Sequence, residues 1–200
     1  MLPLHSARVE AIYLIEPDRI RTGKDQSQVP KKIDPLNKKN YTAVTAALCV
    51  TDVKAAASFY QKAFGFQKRG IMSGPDGKPV HAELTMRGTT LMLGPEMPEM
   101  GARSAKNSGA SPTTLYLLVE NVDKTVATAV KLGAKLQVPV SDMFWGDRCG
   151  RLVDPEGYSW YVATHIADPT PAQMKKKMIE DMKKWQAQGE GQSDAATNAA

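Results

Sequence analysis

The run CVTDVKAAASFYQKAFGF, residues 49–66, carries the architecture, because a later part of the chain has the same form. It opens in TAALCV, a short β-type run. Asp52 stands at a helix N-cap position, and VKAAASFYQKAF reads as helix. Val53, Ala56, Ala57, Tyr60 and Phe64 fall at helical spacing and make one apolar face. Gly65 closes the helix. The second version is VENVDKTVATAVKLGA, residues 119–134. There Asn121 takes the capping place, Val122, Val126, Ala129 and Val130 turn inward, and Gly133 closes the turn.

The pattern extends outward from both helices. FQKRGIMS, VHAELTM and TTLMLG follow the first as strands, with GPDGKP and RG as turns. TTLYLLV precedes the second helix, and AKLQVPV, DRCGRLVD and YSWYVAT follow it. TTLMLGPE aligns with YSWYVATH: 161 − 92 = 69, the same offset as 121 − 52 = 69. Each half therefore reads β-α-β-β-β, and such a repeat fixes the architecture. Neither half closes its own sheet. The expectation is an α+β fold of two βαβββ modules, paired into a curved mixed sheet around a cup, with right-handed crossovers.

The modules span about 41–97 and 112–167, in a domain covering 41–167, with a linker over 98–111. Residues 1–40 read as an irregular extension broken by Pro30 and Pro35, with AIYLI as a candidate strand. Residues 168–188 read as an amphipathic helix opening at Pro171, with Met174, Met178, Met182 and Trp185 in one apolar stripe. Residues 189–200 read as a disordered tail.

Composition narrows the function classes. The 200 residues are 42% hydrophobic and 24% charged, which suits a globular domain with a sizeable core. The net charge of +5 gathers at the front: residues 1–40 hold eight Lys/Arg against five Asp/Glu, and residues 41–165 hold thirteen against eleven. No basic stripe crosses the centre, so nucleic-acid binding is not implied. No apolar run nears the ~20 residues of a membrane helix, and the start has no signal-peptide pattern. A cytoplasmic protein without membrane contact is expected. Cys49 and Cys149 set up neither a disulfide framework nor metal spacing, and are expected to be reduced.

With the repeat in view, CVTDVKAAASFYQKAFGF, HAEL, DMFWGDRCGRLVDPEGYSW and the closing ATH resemble the vicinal-oxygen-chelate superfamily. That group includes glyoxalase I, bleomycin-resistance proteins, fosfomycin-resistance enzymes and extradiol dioxygenases, and the PhnB-like branch is the most similar. The resemblance covers Tyr41 to His165. It implies a cup that, in the enzymes, holds a divalent metal on the first and last strands of each module. Carried over, those places fall on Thr45, Met92, Thr114 and Tyr161. Such a set does not hold a divalent metal.

The expected protein is therefore a metal-free binder of a small aromatic or amphipathic molecule, the family's other implied use, with antibiotic sequestration as one outcome. No catalytic residue and no cofactor is assigned. Trp145 in the FWG loop would cover the rim, and Tyr161 would face the cup with Ser159, turning Trp160 to the helix layer. Arg148 would meet an acidic ligand group, with a salt bridge to Asp147 or Asp154 as its alternative. DPEGYSW reads as a tight hairpin turn and scaffold. His81 and Glu83, two apart on one strand, face the same way. They would line the pocket or, in a second reading, bind a divalent metal for a lyase, isomerase or dioxygenase. A third reading is a regulatory or interaction module. The resemblance implies a homodimer, and the methionine stripe needs a surface to cover it.

Overall fold

A computed structural model describes residues 33–183. The AIYLI segment, Trp185 and the expected tail lie outside the described residues. Every described element belongs to the unit that begins at Leu36. The order is β1 (Ala46–Val50), α1 (Val53–Phe64), β2 (Gln67–Ser73), β3 (Pro79–Met86), β4 (Thr89–Pro95), a 3-10 turn (Pro98–Met100), α2 (Ala105–Ser108), β5 (Thr114–Leu118), α3 (Val122–Lys131), β6 (Lys135–Asp142), β7 (Asp147–Val153) and β8 (Ser159–His165). Residues 171–183 form a further helix, α4.

The α+β class and both βαβββ modules are as the sequence implies. Hydrogen bonding divides the strands into two four-stranded sheets, β1-β4-β3-β2 and β5-β8-β7-β6, each with one parallel pair. The capping reading holds in atomic detail. Asp52 accepts from the Ala55 N–H and Asn121 from the Lys124 N–H, both at 2.9 Å.

β1 and β5 are both edge strands, and side chains rather than a ladder take up their free backbone groups. The Tyr158 hydroxyl donates to the Cys49 carbonyl (2.7 Å) and accepts from the Cys49 N–H (3.0 Å). The Glu156 carboxylate accepts from the Thr51 N–H (2.6 Å) and hydroxyl (2.9 Å). At the repeat-related place, 156 − 69 = 87, Arg87 donates to the Leu118 carbonyl. Each module's last hairpin turn thus grips the other module's first strand.

One face of each sheet, with α1 and α3, shares a single core. Val53, Ala56, Ala57, Tyr60 and Phe64 of α1 are buried, as their spacing predicts. So are Leu84, Leu91 and Leu93 of one sheet and Leu117, Leu152 and Val162 of the other. Trp160, 3% exposed, turns to the helix layer and lies 4.9 Å from the Phe64 ring.

Asp154, 4% exposed, is buried beside Tyr60 and Trp160 of this core. One carboxylate oxygen accepts from the Tyr60 hydroxyl and from the Trp160 indole N–H, each at 2.7 Å. The other accepts from the Glu156 and Tyr158 N–H groups, each at 2.9 Å. Burial pushes the carboxyl pKa up, and these hydrogen bonds pull against it. Tyr60 belongs to the first module and Asp154 to the second, so one carboxylate ties the halves. DPEGYSW is a hairpin turn, as expected, and also the clasp between modules.

The linker is more structured than its composition suggests. Ser104 caps α2 and is fully buried, and its N–H donates to Glu96 at 2.7 Å. The Lys106 N–H donates to the Glu156 carbonyl at 2.7 Å. Gly157 makes room for this contact: a Cβ there would meet Lys106 N at 2.5 Å, and its φ is +88°. On α4, Met174 and Met178 are half-buried, while Ile179 and Met182 stay exposed among the described residues.

Asp154→Asn presents an NH2 group to two of the four donors. It is expected to cost about 2–4 kcal/mol in urea denaturation. Asp52→Ala, which removes only the α1 cap, is expected to cost about 1 kcal/mol. Equal losses would deny Asp154 its joining role.

Candidate functional site

Strand alternation gives each sheet a second face, away from the helices. In the first half, the register pairs Glu83 with Met92 and Thr85 with Thr90, placing these side chains on that face with His81. Glu83 is saturated. It accepts from the Tyr41 hydroxyl and from Arg69 (3.1 Å), and His81 Nε2 lies 3.5 Å away. The tyrosine hydroxyl, followed by the arginine, holds its carboxyl below the usual range against the cost of burial.

Arg69 also donates to the Asn40 carbonyl (2.8 Å) and the Thr90 hydroxyl (2.9 Å), and lies 5.4 Å over the Tyr41 ring. The segment before β1 is therefore seated on this face, and the first half is occupied by its own chain. Thr45, at the end of that segment, has a buried hydroxyl oxygen without a partner among the described residues.

The second half is different. Its register sets three rows across the sheet: Thr114–Ser159–Val153, Tyr116–Tyr161–Arg151, and Leu118–Ala163–Cys149. The Tyr116 and Tyr161 rings lie 6.0 Å apart at 32°, and Tyr116 is 49% exposed. Tyr116 reaches past the row of Ala163 and Cys149, both fully buried, to donate to Asp147 at 2.5 Å. The small Ala163 and Cys149 side chains leave the ring this path.

Asp147, 8% exposed, also accepts from the Trp145 indole N–H (3.0 Å) and pairs with His165 Nδ1 (2.7 Å). Burial would raise its pKa, but the Tyr116, His165 and Trp145 hydrogen bonds outweigh that and hold it low. Tyr116 is pushed up to about 12, by burial first and Asp147 next, so it remains a donor. His165 Nε2 meets Asp168 at 3.0 Å, and Asp147, then Asp168, raise the imidazole pKa. The loop before β7 is fixed by Gly146, whose carbonyl accepts from the Ile166 and Ala167 N–H groups. A Cβ there would lie 2.0 Å from the Ala167 carbonyl oxygen.

The expected site residues thus divide in two. His81, Glu83 and Met92 share the first face, with Thr45 at its edge; Thr114, Tyr161 and Trp145 gather on the second. Arg148 joins neither. It points to the helix side, where Asp123 and Asp142 each hold it at 2.8 Å, in place of the Asp147 or Asp154 pairing expected. Tyr41, Arg69, Tyr116, Arg151, Asp147 and His165 were missed as site residues. For two of them the signal was present: Tyr116, by the repeat alignment, and Arg151, by strand alternation along β7, share the parity of Tyr161.

The implied metal does not fit these residues. Thr45, Met92, Thr114 and Tyr161 offer no imidazole or carboxylate. Glu83 already neutralises an arginine. Among the described residues no group of three or more His, Cys, Asp or Glu is placed to hold a metal ion. Between the halves lies a cleft of about 460 Å³, bordered by Ala46, Phe66, Leu91, Leu115, Tyr116 and Trp160.

This repeat of two βαβββ modules defines the class. The Glyoxalase/Bleomycin resistance protein/Dioxygenase superfamily model matches residues 42–162, and the chain belongs to that family. An uncharacterised protein of Mycobacterium bovis is 36% identical over 129 residues, covering 63% of this chain and 85% of the relative. An Arabidopsis thaliana gene product of known structure is 27% identical, with TM-score 0.50, covering 62% of this chain and 98% of that one. A Pseudomonas aeruginosa protein is similar in fold, at TM-score 0.51 and 18% identity, covering 63% and 99%.

NMR titration of the His165 ring is expected to give a pKa above the usual ~6.5, falling part of the way back in Asp147→Asn. Because the folded value is raised, the stability from this pair is complete below ~6.5 and fades as pH rises through the folded value. An unchanged value in Asp147→Asn would contradict the pairing.

Proposed function

We propose that this protein is a metal-free binder of a small aromatic or amphipathic molecule, in the PhnB-like branch of its family, acting as a cytoplasmic homodimer. The observation that carries this reading is the Tyr116–Tyr161 pair on an open sheet face. Two rings 6.0 Å apart offer an aromatic platform to a planar guest. The platform is fixed beneath, because Asp147 holds Tyr116 and the Trp145 loop together. Fixed rings bind at low entropic cost.

The enzyme alternative asks His81 and Glu83 to bind a metal beside the Arg69 guanidinium, whose charge opposes a second cation. Sequestration of an aromatic antibiotic is one use such a platform serves. The homodimer is supported by exposed apolar side chains around the last strand and α4, namely Ile166, Ile179 and Met182.

Thermal melting with a panel of planar aromatic compounds, with EDTA present, tests the reading. A guest at 100 times its Kd is expected to raise Tm by about 5–10 °C. Tyr161→Ala is expected to abolish the shift. A shift that needs added divalent metal, or that survives Tyr161→Ala, overturns the reading.

A further inference from the structure

The described arginines on the two sheets differ in one respect. Arg69 is paired with Glu83, Arg148 with Asp123 and Asp142, and Arg87 with a backbone carbonyl. Arg151 has no carboxylate partner among the described residues. Its Nε donates to the Ser159 hydroxyl at 3.1 Å, and its guanidinium carbon lies 6.0 Å from the Tyr161 ring centre. Ser159 in turn accepts from the Thr114 hydroxyl at 3.4 Å. One edge of the fork is therefore anchored, and the terminal N–H groups make no hydrogen bond among the described residues.

Arg151 also sits in register with the platform. Tyr116, Tyr161 and Arg151 are direct neighbours on β5, β8 and β7. Adjacent strands lie ~4.8 Å apart, so the row runs ~10 Å from ring to cation. That is about the length of a two-ring aromatic molecule with an acidic group at one end. The Asp147 carboxylate does not compete, since Tyr116, Trp145 and His165 already satisfy it. The partly buried cation and its terminal donors fit the two oxygens of a carboxylate.

We infer that Arg151 is the anion-binding residue of this face, so that the guest is an aromatic carboxylate with its rings on Tyr116 and Tyr161. The inference rests on the binding reading above and specifies its chemistry.

Calorimetric titration of the full chain with 2-naphthoate and with its uncharged amide, 2-naphthamide, separates the two claims. Wild type is expected to bind naphthoate about tenfold more tightly than the amide. Arg151→Gln is expected to bring the two within about twofold, and Arg151→Lys to retain part of the preference. Tyr161→Leu is expected to weaken both probes by a similar factor. Equal wild-type affinities overturn the anion site and leave ring binding standing. A preference that survives Arg151→Gln also overturns it. Binding of neither probe overturns both. The wild-type comparison holds even if a variant fails to fold, and melting of each variant checks folding.

Discussion

A buried carboxylate joins the two halves of this molecule. Asp154 receives the Tyr60 hydroxyl from one module and the Trp160 indole N–H and two backbone N–H groups from its own. A charge at 4% exposure is costly unless its lone pairs are filled, and here the filling itself crosses the module boundary. The relation of α1 to the second sheet follows from that, with Trp160 packed on Tyr60 and Phe64. Glu156 and Tyr158, from the same turn, then hold the edge of β1. With the helices committed to this shared core, the opposite faces of both sheets are left for other work.

Those faces diverged although the repeat made them alike. The first is filled by the chain itself: Tyr41 and Asn40 lie on Arg69, Glu83 and Thr90. The second keeps its rings and one unpaired guanidinium open. The contrast is electrostatic as much as steric. Where Glu83 faces Arg69, the charges cancel internally; where Ser159 faces Arg151, a neutral hydroxyl orients the cation and leaves its charge unmatched among the described residues. A divalent ion would gain little from either face.

Much of the fold was legible because its signals are local and repeated. Asp52 and Asn121 cap, Gly65 and Gly133 close, and the helical spacing of Val53, Ala57, Tyr60 and Phe64 marks a buried face. Strand parity correctly turned Trp160 inward and Tyr161 outward. The same parity, applied two residues at a time along β7, places Arg148 with the helices and Arg151 on the open face. The choice of Arg148 followed the FWGDR motif instead of the alternation. What no local pattern carries is pairing over long separations. Tyr60 with Asp154, Arg69 with Asn40 and Tyr116 with Asp147 depend on how strands are ordered, and sequence spacing does not specify that order.

The central claim is that rings on the second face, not a metal on the first, are the recognition chemistry of this protein. Titration of Zn2+, Ni2+, Mn2+ and Fe2+ into chelator-treated protein, followed by calorimetry, meets it most directly. The account predicts no saturable site at one ion per chain. One ion bound per chain with a Kd near or below ~1 μM, lost on His81→Ala or Glu83→Gln, would contradict it.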